Sequence, residues 1–260
     1  DFEEIKKYTG VVEARNFEVF RERLAKNGML HQANDFFRAT GAHTVLQYKE
    51  VNESLLRTRN SGGFQLLGLA DFPGQGSAFV GILDAFWESK GLVTPEKFRE
   101  SCAPTVLLAR LPKRTFRNGE KLKAKMEIYH FGKDALNSRK LNWTLTGEDG
   151  TVYHKGSLKT KSIQPATVDS LGIIELPLNG MDSARKLTLK AELGGIHNEW
   201  DVWVYPEQPK TEQHNFVYTR TWNDETKQWL NEGKNVLLIP EKCKGRNCLL
   251  YTSDAADDLT

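Results

Sequence analysis

A polar stretch behind a short apolar run holds the residues of this chain that could contact a ligand. Residues 63–69 are mostly apolar, and residues 71–76 combine Asp, Phe, Pro, Gly and Gln. An apolar run of this length between turn-forming residues is typical of a buried strand. Ligands bind at the carboxyl ends of parallel strands in α/β folds. Gln65 on the predicted strand and Asp71 beyond it could therefore hydrogen-bond a polar ligand.

Each candidate also has a structural interpretation. Asp71 could form an Asx-type turn before Pro73, and either Asp71 or Gln65 could fix the loop through backbone amides. Trp87 could stack on a flat ligand, or it could pack in the core or at a domain interface. Both interpretations stay open for each of the three residues at this point.

The other motifs predict neither a cofactor nor a metal site. The six His include no pair at i, i+4 spacing, and Cys102, Cys243 and Cys248 follow neither a metal-ligand spacing nor a disulfide framework. Gly74-Gln75-Gly76 lacks the Lys-Ser/Thr of a phosphate-binding loop. A net charge of +2 predicts no nucleic-acid partner. No apolar run approaches the ~20 residues of a membrane span.

Helical spacing of apolar residues dominates the first part of the chain. Predicted helical segments lie at Phe2–Tyr8, around Phe17, Phe20 and Leu24, at His31–Thr40 and at Thr44–Arg59, with Gly41 ending the third. Helices followed by a buried strand at 63–69 suit an α/β unit. Residues 1–92 are too few for a complete (β/α)8 barrel, which needs ~200 residues or more. They would therefore expose apolar faces meant for missing strands.

From Thr105 onward the apolar residues recur every second position. Predicted strands lie at Thr105–Leu111, Lys121–Tyr129, Lys140–Thr146, Val152–Leu158, Thr167–Leu176, Lys186–Leu193 and Glu199–Tyr205. Seven short strands in about 100 residues predict an immunoglobulin-like β-sandwich over residues 104–205.

The C-terminal part returns to a helix and a strand. Residues 206–246 read as a linker, a helix at Asp224–Asn231 and a strand at Asn235–Ile239, which is the start of a further, truncated α/β unit. Residues from Cys248 onward resemble a translated transposase adapter from sequencing-library preparation. We therefore expect residues 247–260 to be a non-native tail, and the alternative is an ordinary acidic tail.

Three segments carry a family resemblance: residues 63–67, the loop at 71–76 and residues 81–87. They resemble the end of the catalytic barrel in glycoside hydrolase family 2, the β-galactosidase and β-glucuronidase relatives, and the likeness runs from about residue 1 to about residue 242. The resemblance implies that residues 63–69 are the eighth strand of a (β/α)8 barrel. The expected fold class is then α/β plus all-β: the end of such a barrel, a sandwich and the start of an α/β unit.

The resemblance also implies a function. Retaining glycosidases use two carboxylates ~5–5.5 Å apart, which in this family are glutamates on barrel strands four and seven. Glu3, Glu4 and Glu13 match neither motif, so we expect the catalytic pair to lie outside this chain and the chain itself to be inactive. The expected partners are a β-linked carbohydrate, contacted by Asp71, Gln65 and Trp87, and a missing N-terminal part of the same chain.

Two points of the resemblance stay open. The family often has a Trp where Leu66-Leu67 stand here, so the sugar is not specified. The family relationship favours a periplasmic or extracellular location over a cytoplasmic one. The alternative function is a non-catalytic carbohydrate-binding or scaffolding protein built on a β-sandwich.

Overall fold

The computed structural model describes residues 2–72, 79–137, 140–207 and 215–240. The chain divides into two compact units, Asp1–Glu207 and Gln208–Thr260. In the first unit, short helical segments come before eight strands, and the second unit contains a strand, a helix and a strand. No helix in the described ranges is long and apolar enough to cross a membrane.

Three α-helices lie before the first strand. They are α1 (Arg15–Lys26), α2 (Ala33–Leu56) and α3 (Pro95–Arg99), with single 3₁₀ segments at Phe2–Lys7 and Leu30–Gln32. Thr94 caps the short α3: its Oγ1 accepts a hydrogen bond from the Lys97 amide at 3.2 Å, and Pro95 occupies the first turn.

The predicted helix end at Gly41 is wrong. Helix α2 continues through this glycine for a further four turns. A Cβ at position 41 would lie 2.3 Å from Leu92 Cδ2. The glycine therefore makes room for Leu92 against the helix, and this packing outweighs the roughly 1 kcal/mol by which glycine disfavours a helix interior.

Eight strands form two sheets. The strands are β1 (Thr105–Arg110), β2 (Thr115–Arg117), β3 (Lys121–His130), β4 (Lys140–Gly147), β5 (Val152–Lys159), β6 (Thr167–Pro177), β7 (Arg185–Leu193) and β8 (Ile196–Tyr205). One sheet has the order β1-β3-β6 and the other the order β2-β8-β7-β4-β5. All neighbours run antiparallel except β2 and β8, which are parallel.

The main core lies between these sheets. In β3, Leu122, Ala124 and Met126 are fully buried, whereas Lys123 and Lys125 between them are exposed. Alternate side chains of a strand point to opposite faces, so period-two patterning places one face in the core. The fully buried Trp200 of β8 belongs to the same core. The architecture is mostly sheet and sandwich-like, with one sheet curled into a half-barrel.

The expected barrel end is wrong. Residues 63–69 form no strand, and the nearest pairing is an isolated parallel bridge between Ala70 and Leu83. Leu67 is fully exposed at 103%. A strand of a barrel has hydrogen-bonded neighbours on both sides, and residues 63–69 have no partner strand within the described residues. The expected fold class, with a (β/α)8 barrel end, is therefore replaced by a mostly β-sheet architecture.

Helix α2 is joined to the sandwich by a buried polar network. Glu53 is 0% exposed, and its carboxylate accepts hydrogen bonds from Asn198 Nδ2 at 2.9 Å and from Trp200 Nε1 at 2.8 Å. Asn198 Nδ2 also donates to the Leu107 carbonyl at 2.7 Å, and Arg57 donates to the Ala109 carbonyl at 2.9 Å. The helix and the strands therefore share polar contacts as well as apolar ones.

The second unit is a parallel strand–helix–strand arrangement. Strands β9 (Phe216–Thr219) and β10 (Asn235–Leu238) pair in parallel, and α4 (Asp224–Asn231) lies between them in sequence. Asn223 caps α4 by accepting a hydrogen bond from the Thr226 amide at 2.9 Å. Cys243, Cys248 and the proposed non-native tail at 247–260 lie outside the described residues.

Candidate functional site

Asp71 lines an apolar cavity of about 510 Å³ between the N-terminal segment, α1, α2 and the segment around Gly81. Its walls include six large apolar side chains: Phe17, Phe20, Phe36, Phe37, Phe79 and Leu92. Four ionisable groups, Glu4, Arg23, Asp71 and Lys90, lie among its lining residues. A mostly apolar cavity with a few convergent polar groups is the usual form of a small-molecule site.

Both carboxylate oxygens of Asp71 already have partners. Oδ2 lies 2.6 Å from Lys90 Nζ, and Oδ1 accepts a hydrogen bond from the Gly81 amide at 2.8 Å. Lys90 also donates to the Gly81 carbonyl at 2.9 Å. The carboxylate therefore fixes residues 81–90 against residue 71. Its amide donor lies ten residues away, which differs from the short-range Asx-type turn considered above.

Glu4 was not identified as a site residue from the sequence. Its side chain is 6% exposed, and its Oε1 atom accepts no hydrogen bond from a described residue. Burial raises the pKa of Glu4, and the nearby carboxylates of Asp84 and Asp71 raise it further. Sequence carried no signal for this burial, because the residues that enclose Glu4 lie far along the chain.

Gln65 and Trp87 lie outside this cavity. Gln65 is exposed, and Trp87 is 70% exposed, so Trp87 does not pack in the core. Trp87 has a positive φ of 66°. Asp84 explains that backbone conformation, because its Oδ1 accepts hydrogen bonds from the amides of Phe86 and Glu88 and holds a tight turn. The predicted ligand contacts of Gln65, Asp71 and Trp87 stay predictions.

A second cleft, of about 280 Å³, lies where the end of α2 meets the outer face of the three-stranded sheet β1-β3-β6. Tyr129 and Phe131 stack in it, with ring centroids 4.5 Å apart and an interplanar angle of 21°. Tyr129 packs against the buried cluster that contains Leu56, and Phe131 is 48% exposed. Arg59, Asn60 and Asp169 contribute polar groups. We call this group of residues the aromatic cleft.

Two unusual backbone conformations also lie in the aromatic cleft. Asn60 has φ 62° and Ala166 has φ 60°, and with Trp87 they are the described non-glycine residues with positive φ. Such conformations cost of order 1–3 kcal/mol and cluster at binding sites. In Asn60 the cost is small, since asparagine tolerates this region; in Ala166 it is larger.

The described residues hold no group of three or more His, Cys, Asp or Glu side chains that could bind a metal ion. The arrangement therefore offers two kinds of recognition, an apolar cavity with buried carboxylates and an aromatic cleft with exposed polar groups.

Comparisons with known proteins identify a domain but no activity. A family model described as a domain of unknown function (DUF8488) matches residues 120–206, which contain β3 to β8. No curated protein matches the chain. Because the family match covers about a third of the chain, we state it for those residues alone.

Several solved structures share limited likeness with the chain. The sporulation control protein Spo0M from Bacillus subtilis is 17% identical over 41% of this chain and 51% of its own, at a TM-score of 0.31. The CARDB domain of the PF1109 protein from Pyrococcus furiosus, in complex with di-metal ions, is 12% identical over 40% of this chain and 94% of its own, at 0.30. A Paenibacillus cycloisomaltooligosaccharide glucanotransferase is 7% identical over 45% and 16%, at 0.32. Scores this low carry no argument about function.

These findings overturn the resemblance to glycoside hydrolase family 2. The matched domain has no assigned function, the structural neighbours are weak, and the segment expected to be the eighth barrel strand is not a strand. The short glycine-rich and aromatic segments that suggested the family also suit the loops around Asp71 and Asp84, where glycine permits close backbone approach.

Proposed function

We propose that this chain carries a non-catalytic carbohydrate-binding function, with a sugar ring bound in the aromatic cleft. The observation that supports it is the stacked pair of Tyr129 and Phe131, of which Phe131 is half-exposed. The apolar face of a sugar ring packs on an aromatic face in the same way as other flat apolar surfaces. Tyr129 packs against the buried cluster of Leu56, Val106 and Leu108, and its ring stacks on the Phe131 ring. Tyr129 therefore fixes the orientation of the Phe131 ring.

The polar groups around Phe131 suit sugar hydroxyls. Arg59 and Asn60 are exposed and line the cleft, where the Arg59 guanidinium can donate hydrogen bonds and the Asn60 amide can donate and accept them. Asp169 faces the same cleft as an acceptor. Donors and acceptors placed beside an apolar surface provide orientation and specificity in small-molecule sites. A sugar therefore fits this cleft better than a purely apolar ligand.

A glycosidase mechanism within this chain is less well supported. Two carboxylates must flank the scissile bond, one as acid and one as nucleophile or base. Asp71 is engaged by Lys90 and by the Gly81 amide, and its cavity has apolar walls that offer few partners to hydroxyl groups. Association with a further segment of the same chain is compatible with the exposed apolar residues Leu46 and Val51 on α2, and it also stays a proposal.

Calorimetric titration with soluble oligosaccharides tests the carbohydrate proposal. The panel contains β-linked galacto-, gluco- and glucurono-oligosaccharides and an α-linked gluco-oligosaccharide. We expect saturable binding of at least one β-linked sugar. Phe131→Ala should weaken it about tenfold, since an aromatic contact contributes roughly 0.5–1.5 kcal/mol beyond its buried area.

Tyr205→Ala is the matched control, because Tyr205 is an aromatic residue of similar exposure, 47%, on the other sheet. The control should bind as the unchanged chain does. Equal weakening by both variants, or no binding to any member of the panel at millimolar concentration, would contradict the proposal.

A further inference from the structure

The apolar cavity lined by Glu4 and Asp71 is separate from the aromatic cleft, and none of its lining residues is shared with it. Its volume of about 510 Å³ lies in the range of small-molecule sites. The walls come from α1, α2 and the segments around Phe79 and Leu92. A ligand of this cavity must therefore have a mainly apolar body.

Glu4 supplies the polar end of the cavity. The carboxylate is nearly fully buried, and one of its oxygens has no hydrogen-bond donor among the described residues. A buried carboxylate without a partner is costly, and native structures rarely leave one so. The unpartnered oxygen of Glu4 therefore indicates that a ligand supplies the missing hydrogen-bond donor.

Two neighbouring lysines are already paired with other carboxylates, and Arg23, which also lines the cavity, has an exposed side chain. Lys90 pairs with Asp71 at 2.6 Å, and Lys7 pairs with Asp84 at 2.6 Å and with Glu88 at 2.6 Å. No salt bridge between Glu4 and a described side chain exists. The missing partner of Glu4 is thus a cation or a strong donor.

From this geometry we infer that the cavity binds an organic ammonium: a primary amine carried by an apolar body that is aromatic or aliphatic. The ammonium pairs with the Glu4 carboxylate, and the body packs on the phenylalanine walls. A charge-assisted hydrogen bond in a site of low polarity is stronger than a neutral one. An amine should therefore bind better than an alcohol of the same shape.

The test uses three probes of one shape and different head groups: 4-phenylbutylamine, 4-phenylbutanol and 4-phenylbutyrate. Binding to the full chain is measured by titration calorimetry at neutral pH. We expect the amine to bind at least tenfold more tightly than the alcohol, on the order of what a hydrogen bond to a charged group contributes. The carboxylate probe should bind most weakly, because Glu4, Asp71 and Asp84 repel it.

Glu4→Gln keeps the size of the side chain and removes its charge. The variant should lose the preference for the amine, so that amine and alcohol bind within about twofold of each other. Glu3→Gln is the matched control, since Glu3 lies in the same 3₁₀ segment with a side chain that is 72% exposed. The control should keep the full preference. Thermal unfolding shows whether each variant is folded.

Phe36→Ala tests the contribution of the ligand's apolar body to binding separately from that of its head group. It should weaken the amine and the alcohol by the same factor, because it removes wall area and leaves Glu4 in place. The inference is wrong if the alcohol or the carboxylate binds as tightly as the amine, if Glu4→Gln keeps the preference, or if no probe binds.

Discussion

Trp200 of β8 donates its indole N–H to Glu53 of α2 at 2.8 Å, and both side chains are almost fully buried. The same carboxylate accepts a hydrogen bond from Asn198 and lies 2.5 Å from Lys49 and 3.5 Å from Arg57. One glutamate on a helix therefore satisfies two donors from the sandwich and two cations from its own helix. The helix is fixed to the sheet by a group that no apolar residue could replace without leaving these donors unpaired.

Glu53→Ala should destabilise the first unit by about 3–5 kcal/mol, because it leaves a buried indole N–H, an amide and two partly buried cations without their acceptor. Urea unfolding followed by tryptophan fluorescence measures the change. Glu50→Ala is the control: Glu50 lies one turn earlier on α2, is 52% exposed and pairs with Arg114 on the surface. It should cost no more than about 1 kcal/mol. Similar losses for the two variants would show that the buried network contributes little.

Glu4 should make stability depend on pH in a defined direction. Because its pKa is raised in the folded state above the ordinary value of 4.5, the folded chain binds this proton more tightly than the unfolded chain does. The resulting stabilisation is fully present below pH 4.5 and is lost as pH rises through the folded-state pKa. Glu4→Gln, which cannot titrate, should remove this component.

The measurement is the free energy of unfolding at several pH values from 4 to 8, for the unchanged chain, Glu4→Gln and the exposed control Glu3→Gln. Between pH 4.5 and 8, the unchanged chain should lose more stability than Glu4→Gln. Burial is the largest cause of the raised pKa of Glu4; the carboxylates of Asp84 and Asp71 add to it and Lys90 opposes it, so these three residues stay unchanged in this series. Parallel curves for all three proteins would contradict the assignment.

Gly81→Ala should destabilise the loop that carries Asp71. A Cβ at position 81 would lie 2.4 Å from the carbonyl carbon of Ala70 and 2.4 Å from the Asp71 amide nitrogen, and backbone atoms cannot move aside as a flexible side chain can. Overpacking of this kind costs about 1–3 kcal/mol or more. Thermal unfolding measures the loss. Gly62→Ala, at a site with no atom within 4 Å, should be close to neutral, and a loss of the same size there would point to a general glycine effect.

The chain should release no nitrophenol from aryl β-galactosides or β-glucuronides. Catalysis would need two free carboxylates on either side of the bond, and Asp71 is held by Lys90 and Gly81. A colorimetric assay compares the chain with a blank and with Asp71→Asn. Turnover by the unchanged chain that Asp71→Asn abolishes would show instead that this cavity is catalytic.

The strands of the sandwich were predictable because their burial follows period two. Lys121 to Ile128 alternates polar and apolar residues, and β3 occupies Lys121–His130. Strand β2 was missed, because its three residues, Thr115–Arg117, are too few to show a period. The sandwich-like character could thus be predicted from the sequence, since strands such as β3, β7 and β8 have one face in the core and a more exposed one opposite.

The predicted barrel strand at residues 63–69 is wrong for a physical reason. An apolar run such as residues 63–69 is ambiguous without its neighbours, and here Leu67 is exposed and the run forms no ladder. Asp71 was predicted to contact a ligand; it lines a cavity, and the contact itself stays a prediction. Glu4 could not be found, since its burial depends on contacts with residues some 70 to 80 positions away.

The hydrogen bonds that Asn198 and Arg57 make to strand β1 affect whether two molecules can associate through the edge of this sheet. Strand β1 lies at the edge of its sheet, so the carbonyl groups on its outer side have no partner strand and could pair with a strand of a second molecule. Two of them, on Leu107 and Ala109, are already hydrogen-bonded by the side chains of Asn198 and Arg57. Side-chain amide and guanidinium groups occupy the positions that an incoming strand would need, and this edge of the sheet is thereby protected against aggregation.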